Sequence, residues 1–86
     1  MNLQDAFAIA QADSKNLAAK PDNDTLLQLY SLYKQATAGD ATGDGPENMF
    51  DFVGKAKHEA WSGLKGMSRE TAMEQYVALV NKLKGS

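Results

Sequence analysis

Between two stretches of helical periodicity lies Gly39-Asp-Ala-Thr-Gly-Asp-Gly-Pro-Glu-Asn-Met-Phe-Asp51, with three glycines, a proline and four acidic side chains. No apolar period runs through it, and its turn-forming residues mark it as a loop. Its length decides the topology. A helix of about 16 residues is roughly 24 Å long, whereas about 13 extended residues reach roughly 40 Å. The loop can therefore cross back over the molecule, so that the helices on either side run parallel. The expected architecture is all-α, a four-helix bundle in up-down-down-up order with a long crossover loop between helices 2 and 3. Loops of this length in small domains commonly have a topological or functional role.

The flanks supply the helices. Upstream, Leu26, Leu27, Tyr30, Tyr33 and Thr37 recur at helical spacing, Asp22 or Asn23 can cap the start, and Gly39 follows Ala38 as a natural stop. Before it, Leu3, Ala6, Phe7, Ala10, Ser14 and Leu17 predict a first amphipathic helix over roughly 3 to 18, ended by Lys20-Pro21. Downstream, a third helix is expected over roughly 52 to 65, with Phe52, Ala56, Ala60, Trp61 and Leu64 inward and Gly66 as its stop. Ser68 then caps a fourth, whose stripe is Ala72, Met73, Tyr76, Val77, Val80 and Leu83 before Gly85. Short connections between helices 1 and 2 and between 3 and 4 predict antiparallel neighbours within each pair. No strand pattern and no internal repeat is visible.

Composition narrows the function classes. A chain of 86 residues, 43% hydrophobic and 23% charged, is expected to form one domain over 1–86. The absence of cysteine excludes disulfides, thiolate metal sites and a cysteine nucleophile. The N-terminal residues carry no basic run, and no apolar stretch approaches the ~20 residues of a membrane span. A soluble, cytoplasmic protein without stable membrane insertion is expected, and a monomer. A net charge of −2 argues against nucleic-acid binding, which needs a broad basic footprint. Any phosphate site must therefore be local.

Catalytic machinery is not visible. His58 is the one histidine, Glu59 beside it lies on another helical face, and no nucleophile motif or glycine-rich phosphate loop surrounds them. His58 reads as a solvated helix residue, and no enzymatic activity is expected. The segment 40–51 follows the first half of an EF-hand loop, with oxygen ligands at Asp40, Thr42, Asp44 and Asn48 and glycine at Gly45. Its twelfth position is Asp51, one methylene short of the bidentate glutamate the geometry favours, and it lacks a partner hand. A polar crossover is the better reading, with a calcium-binding helical module or a helix-bundle interaction domain as alternatives. A sharper constellation is Tyr30, Tyr33 and Lys34 on helix 2 with Lys55 and Lys57 on helix 3 and Tyr76 on helix 4. Tyr30, Tyr33 and Lys34 share a helical face. Rings stack on a base or ribose and ammonium groups neutralise phosphate, so the set suits a nucleotide; half-buried core tyrosines and solvated lysines are the competing account.

The ordered run Tyr30-Ser-Leu-Tyr33-Lys34-Gln-Ala-Thr-x-Gly39-Asp40, then Asp51-Phe-x-Gly54-Lys55-Ala-Lys57, Ala60-Trp61-x-x-Leu64-Lys65-Gly66 and Ala72-Met73-x-x-Tyr76 resembles the acyl-CoA-binding protein family signature. The likeness spans essentially the whole chain, Lys20-Pro21 included, and small bacterial members have a similar overall flavour. The resemblance implies the same crossed four-helix bundle and a non-enzymatic carrier of long-chain fatty acyl-CoA that forms an intracellular pool for lipid metabolism. It needs no cofactor. By carry-over, Tyr30, Tyr33, Lys34 and Lys57 match positions that contact the adenine nucleotide and its 3′-phosphate, and Lys15 and Tyr76 match further ligand contacts.

The ligand's chemistry fills in the rest. Coenzyme A carries anionic phosphates, which Lys34 and Lys57 would meet, while the acyl chain needs a dry surface. Leu26 and Leu27, one turn before Tyr30, are candidates for its floor, and each buried methylene adds up to ~0.8 kcal/mol. The chain departs from the family pattern at three places. Val53 stands where many members have lysine, which either weakens a head-group contact or lengthens the apolar groove. His58 replaces a common aromatic residue, and the acidic run 43–47 replaces a more basic loop, adding negative charge near a polyanion.

Overall fold

The computed structural model describes residues 2–43, 48 and 50–85. The centre of the crossover, residues 44–47 and 49, lies outside the described residues, and with it the EF-hand positions Asp44 and Gly45. Among the described residues four helices follow one another: α1 (Leu3–Ser14), α2 (Asn23–Ala38), α3 (Phe52–Ser62) and α4 (Arg69–Leu83). Each starts on a side chain that accepts a backbone N–H: Asn2 from Asp5, Asp22 from Thr25, Asp51 from Gly54 and Ser68 from Thr71. At α3 the cap requires a glycine, since a Cβ on Gly54 would lie 2.4 Å from Asp51 Oδ2. Gly39 ends α2 at φ +83°, a left-handed conformation that glycine adopts without penalty.

Two helices are shorter than their apolar pattern predicts. α1 stops at Ser14 instead of running to about 18, so Leu17 falls in the connection. Ser14 Oγ donates to the Gln11 carbonyl at 2.8 Å and Asn16 Nδ2 to the Ala12 carbonyl at 3.1 Å, so side chains take carbonyls the next turn would have used. α3 ends at Ser62, three residues early. Trp61 and Ser62 carbonyls accept from the N–H groups of Leu64 and Lys65, the i→i+3 bonds of a tightened last turn.

The packed pairs are α1 with α4, α2 with α4 and α2 with α3. The expected neighbours 1–2 and 3–4 are thus corrected as close-packed pairs, although the helices of each pair do run antiparallel and α1 reaches α2 through the Phe7 and Tyr33 rings. With α1 shortened, residues 15–22 form a link long enough for burial, not tether length, to choose the partner. α1 runs parallel to α4: Leu3 lies beside Arg69 and Met73, and Ala10 and Asp13 beside Val77 and Lys84. α2 runs antiparallel to α4, with Leu32 near Leu79 and Ala36 near Met73. α3 follows α2 in parallel, with Leu27 beside Val53 and Lys34 beside Trp61. The result is the up-down-down-up order that the long connection implies.

Among the described residues the packed core cluster is Phe7, Ala10, Leu29, Leu32, Ala36, Ala72, Tyr76 and Val80, drawn from α1, α2 and α4, with Ala41 of the crossover buried apart from it. Ala72 and Val80 are fully excluded from solvent, and Leu64, Met67, Met73 and Leu83 pack around them. α3 contributes no buried residue. Phe52, predicted to point inward, is 71% exposed. Its periodicity is real, but the apolar face it belongs to borders an open groove where a helix would otherwise pack.

Candidate functional site

α2 is two-faced, and the site grows from that. Leu29, Leu32 and Ala36 turn towards α4, whereas Leu26, Tyr30 and Lys34, spaced four apart, form a second stripe along the seam with α3. At the N-terminal end of this seam, Asn23, Leu26, Leu27, Phe52, Val53, Ala56 and Lys57 line an open groove of about 440 Å³. Its surface is almost wholly aliphatic or aromatic, with the Lys57 stem as one wall. Phe52 and Val53, 71% and 67% exposed, form its lip, and Phe50 beside them is 75% exposed. Large apolar side chains left exposed together at the mouth of an apolar groove are a mark of a binding site.

One turn further along, the seam becomes cationic. Lys57 Nζ stands 5.2 Å from the centroid of the Tyr30 ring, and Lys34 Nζ stands 4.9 Å from that of Trp61. Both are cation–π distances. On the α1 and α4 side of Tyr30, a smaller cleft of about 240 Å³ is lined by Gln11, Ser14, Lys15, Leu29, Tyr30, Tyr33 and Tyr76. Phe7, Tyr33 and Tyr76 form an aromatic cluster beneath it: Phe7 stacks on Tyr33 at 6.1 Å and meets Tyr76 edge-on at 5.1 Å. Tyr76 is buried and its hydroxyl donates to Ser14 Oγ at 3.2 Å, so it both packs the core and borders the cleft.

The candidate residues therefore fall into three adjoining places. Leu26, Leu27 and Lys57 border the apolar groove; Lys15, Tyr30, Tyr33 and Tyr76 border the small cleft. Lys34 borders neither, and its ammonium rests on Trp61. Asn23, Phe52 and Ala56 of the groove, and Gln11, Ser14 and Leu29 of the cleft, are additions that residue type alone does not single out, whereas Val53 lines the groove that its apolar side chain stood to lengthen. The signal for Phe52 and Ala56 is present as an apolar stripe on helix 3. Periodicity cannot distinguish a face that meets protein from one left open.

The far end of the seam is pinned by polar contacts. Trp61 Nε1–H donates to the Gly39 carbonyl at 2.8 Å, and Gln35, 1% exposed, donates through Nε2 to Asp40 Oδ1 and to the Met67 carbonyl, both at 2.8 Å. Asp40 Oδ1 also accepts the Gly66 N–H at 2.9 Å. These bonds, the Gly66 one first, hold the Asp40 carboxyl below its ordinary pKa of 3.8. Asp22 is likewise lowered, by its hydrogen bonds to Thr25. Two of the EF-hand ligand positions thus have structural duties, since Asp40 ties the turn after α3 and Asp51 caps α3. His58, expected to be solvated, is half-buried: its ring meets Trp61 edge-on at 6.2 Å, with Nδ1 3.3 Å from Ser62 Oγ and Nε2 3.4 Å from the Thr42 carbonyl.

With that geometry in place, the comparisons with known proteins are specific. A family profile described as "Acyl CoA binding protein" matches residues 4–80. The chain is 50% identical over 78 residues to "Acyl-CoA-binding protein homolog 1" of Caenorhabditis elegans, covering 91% of this chain and 90% of that protein. It is 42% identical over 83 residues to "Acyl-CoA-binding protein homolog" of Manduca sexta, covering 96% and 92%. The crystal structure of Oryza sativa Acyl-CoA-Binding Protein 2 superposes with a TM-score of 0.88 at 36% identity, covering 95% of this chain and 90% of that one.

Proposed function

The chain belongs to the acyl-CoA-binding protein family, and from that membership we propose that the α2–α3 seam and the adjoining cleft hold a long-chain fatty acyl-CoA thioester, which the protein carries. The observation that carries the reading is the order of surfaces along α2: an apolar groove of about 440 Å³, then two ammonium groups set against aromatic rings. That order matches an amphiphile with a hydrocarbon chain at one end and a phosphorylated nucleotide at the other. Leu26, Leu27, Phe52, Val53 and Ala56 would shelter the chain, each buried methylene contributing up to ~0.8 kcal/mol. Lys34 and Lys57 would meet phosphate oxygens through charge-assisted hydrogen bonds. Tyr30 and Tyr33 would face the base or ribose, with Lys15 and Tyr76 closing the cleft.

Val53 fits the chain-side reading, since it lines the groove where a lysine would place a charge. Residues 1–86 act as one acyl-CoA-binding domain, a cytoplasmic monomer that needs no cofactor, catalyses no reaction and binds no nucleic acid. Among the described residues no helix is long and apolar enough to cross a membrane. Parallel calorimetric titrations with palmitoyl-CoA, free coenzyme A, palmitate and calcium test the proposal. Palmitoyl-CoA is expected to bind far more tightly than the other three. Equal affinity for palmitoyl-CoA and free coenzyme A would remove the groove from the site, and tight calcium binding would favour the loop reading.

A further inference from the structure

The apolar and aromatic residues of the seam account for a chain and a nucleotide, but not for Trp61, which borders neither cavity. From its surroundings we infer that Trp61 is a positioning residue: its indole holds the Lys34 ammonium ready for the 3′-phosphate before ligand arrives. This rests on the nucleotide role proposed for Lys34 above.

Three observations converge on the indole. The Lys34 ammonium lies 4.9 Å from the ring centroid. The indole N–H is bonded at 2.8 Å to the carbonyl of Gly39, the residue that ends the helix carrying Lys34. The ring is thereby fixed to α2 as well as to its own helix, so the surface under Lys34 does not shift with α3 alone. Finally, Trp61 is only half-buried, and no residue of α3 is buried, so filling the core is not what the largest side chain of that helix does.

A lysine free in solvent samples many rotamers, and fixing it on a ligand costs entropy at the moment of binding. A lysine already resting on an indole has lost part of that freedom on folding. The ring face takes one side of the ammonium and leaves N–H donors free for phosphate oxygens. Lys57 on Tyr30 is the parallel case, but Tyr30 itself borders the ligand cleft, so only at Trp61 can positioning be separated from contact.

The test compares palmitoyl-CoA with palmitoyl-CoA lacking the 3′-phosphate, on the full chain and on Trp61→Phe, Trp61→Leu, Lys34→Ala and the Lys34→Ala/Trp61→Leu double variant. Trp61→Leu is expected to lower affinity for palmitoyl-CoA roughly three- to tenfold while affecting the truncated ligand much less. Trp61→Phe, which keeps a ring face, should retain most of the preference. In the Lys34→Ala background Trp61→Leu should cost nothing further. Equal losses for both ligands, or a loss that persists without Lys34, would make Trp61 a merely structural residue and overturn the proposal. If Lys34→Ala leaves the preference for the 3′-phosphate intact, the phosphate role of Lys34 itself falls. A second measurement needs no variant: in the ligand-free wild type, the indole ring current should displace the Lys34 ε-methylene proton resonance upfield. A resonance at the position of the other lysines would equally overturn the proposal.

Discussion

α3 and α4 are built from the same materials and do different work. Each starts on a capping side chain, Asp51 or Ser68, and each carries an apolar stripe at helical spacing. Yet α4 buries Ala72, Tyr76 and Val80 between α1 and α2, while α3 has only half-buried and exposed residues and, of the helices, packs on α2. The stripe of α4 is satisfied by protein. That of α3 is left open as the groove of Leu26, Leu27, Phe52, Val53 and Ala56. Stability is therefore concentrated in α1, α2 and α4, while the proposed site runs along α2 and α3, with α2 serving both through opposite faces.

Substitutions in the two helices should break along this line. The largest effect is expected at Tyr76, where Tyr76→Ala removes a buried ring in contact with Phe7 and should destabilise the protein by about 3–5 kcal/mol. Tyr76→Phe loses only the hydroxyl bond to Ser14, worth about 1 kcal/mol. Thermal or denaturant unfolding checks both, and an unchanged melting temperature for Tyr76→Ala would remove α4 from the core role assigned to it. On the other side, Lys34→Ala and Lys57→Ala should each weaken palmitoyl-CoA binding by about 1.5–3 kcal/mol with melting temperature nearly unchanged. Phe52→Ala, at the exposed lip of the groove, should cost roughly 1 kcal/mol of binding to a long-chain ligand and almost nothing in stability. If its cost appears in unfolding instead, α3 belongs with the core after all.

The smallest effect concerns acid. Asp40 has a lowered pKa in the fold because the charged carboxylate accepts from Gly66 and Gln35. Its contribution is therefore present above the ordinary value of 3.8 and lost as pH falls through the lower folded value. Wild type should exceed Asp40→Asn in melting temperature near neutrality, and the gap should close as the pH falls below the ordinary carboxyl value of 3.8 and through the lower folded one. A gap that widens with acid would reverse the sign and exclude this linkage.

Much of this division could be read from residues, and the exceptions have physical causes. Gly39 and Ser68 bound their helices as expected, and of the two candidate caps of α2 it is Asp22 that serves, because capping and left-handed glycine are local chemistry. The crossed order followed from loop length, a geometric constraint. Helix pairing did not follow, because the links 15–22 and 63–68 are long enough for α1 to seek α4 and α3 to seek α2. Phe52 points into the open groove and not into the core, which its apolar pattern does not reveal, being the same whether that face meets a helix or is left open. Lys57 beside Tyr30 was legible once the two helices ran parallel, whereas Lys34 over Trp61 depends on how the α2 terminus accepts the indole.

A helix with no buried side chain also has consequences in time. Its amides are guarded by its own backbone bonds and one neighbour, so α3 can open while α1, α2 and α4 stay closed, at a free energy well below that of global unfolding. Hydrogen exchange should therefore find the α3 amides exchanging faster than those around Ala72 and Val80, with bound palmitoyl-CoA slowing α3 most. Uniform protection across all four helices would contradict this. On this account the cargo completes a core that the polypeptide leaves unfinished, and release needs only that one wall to loosen.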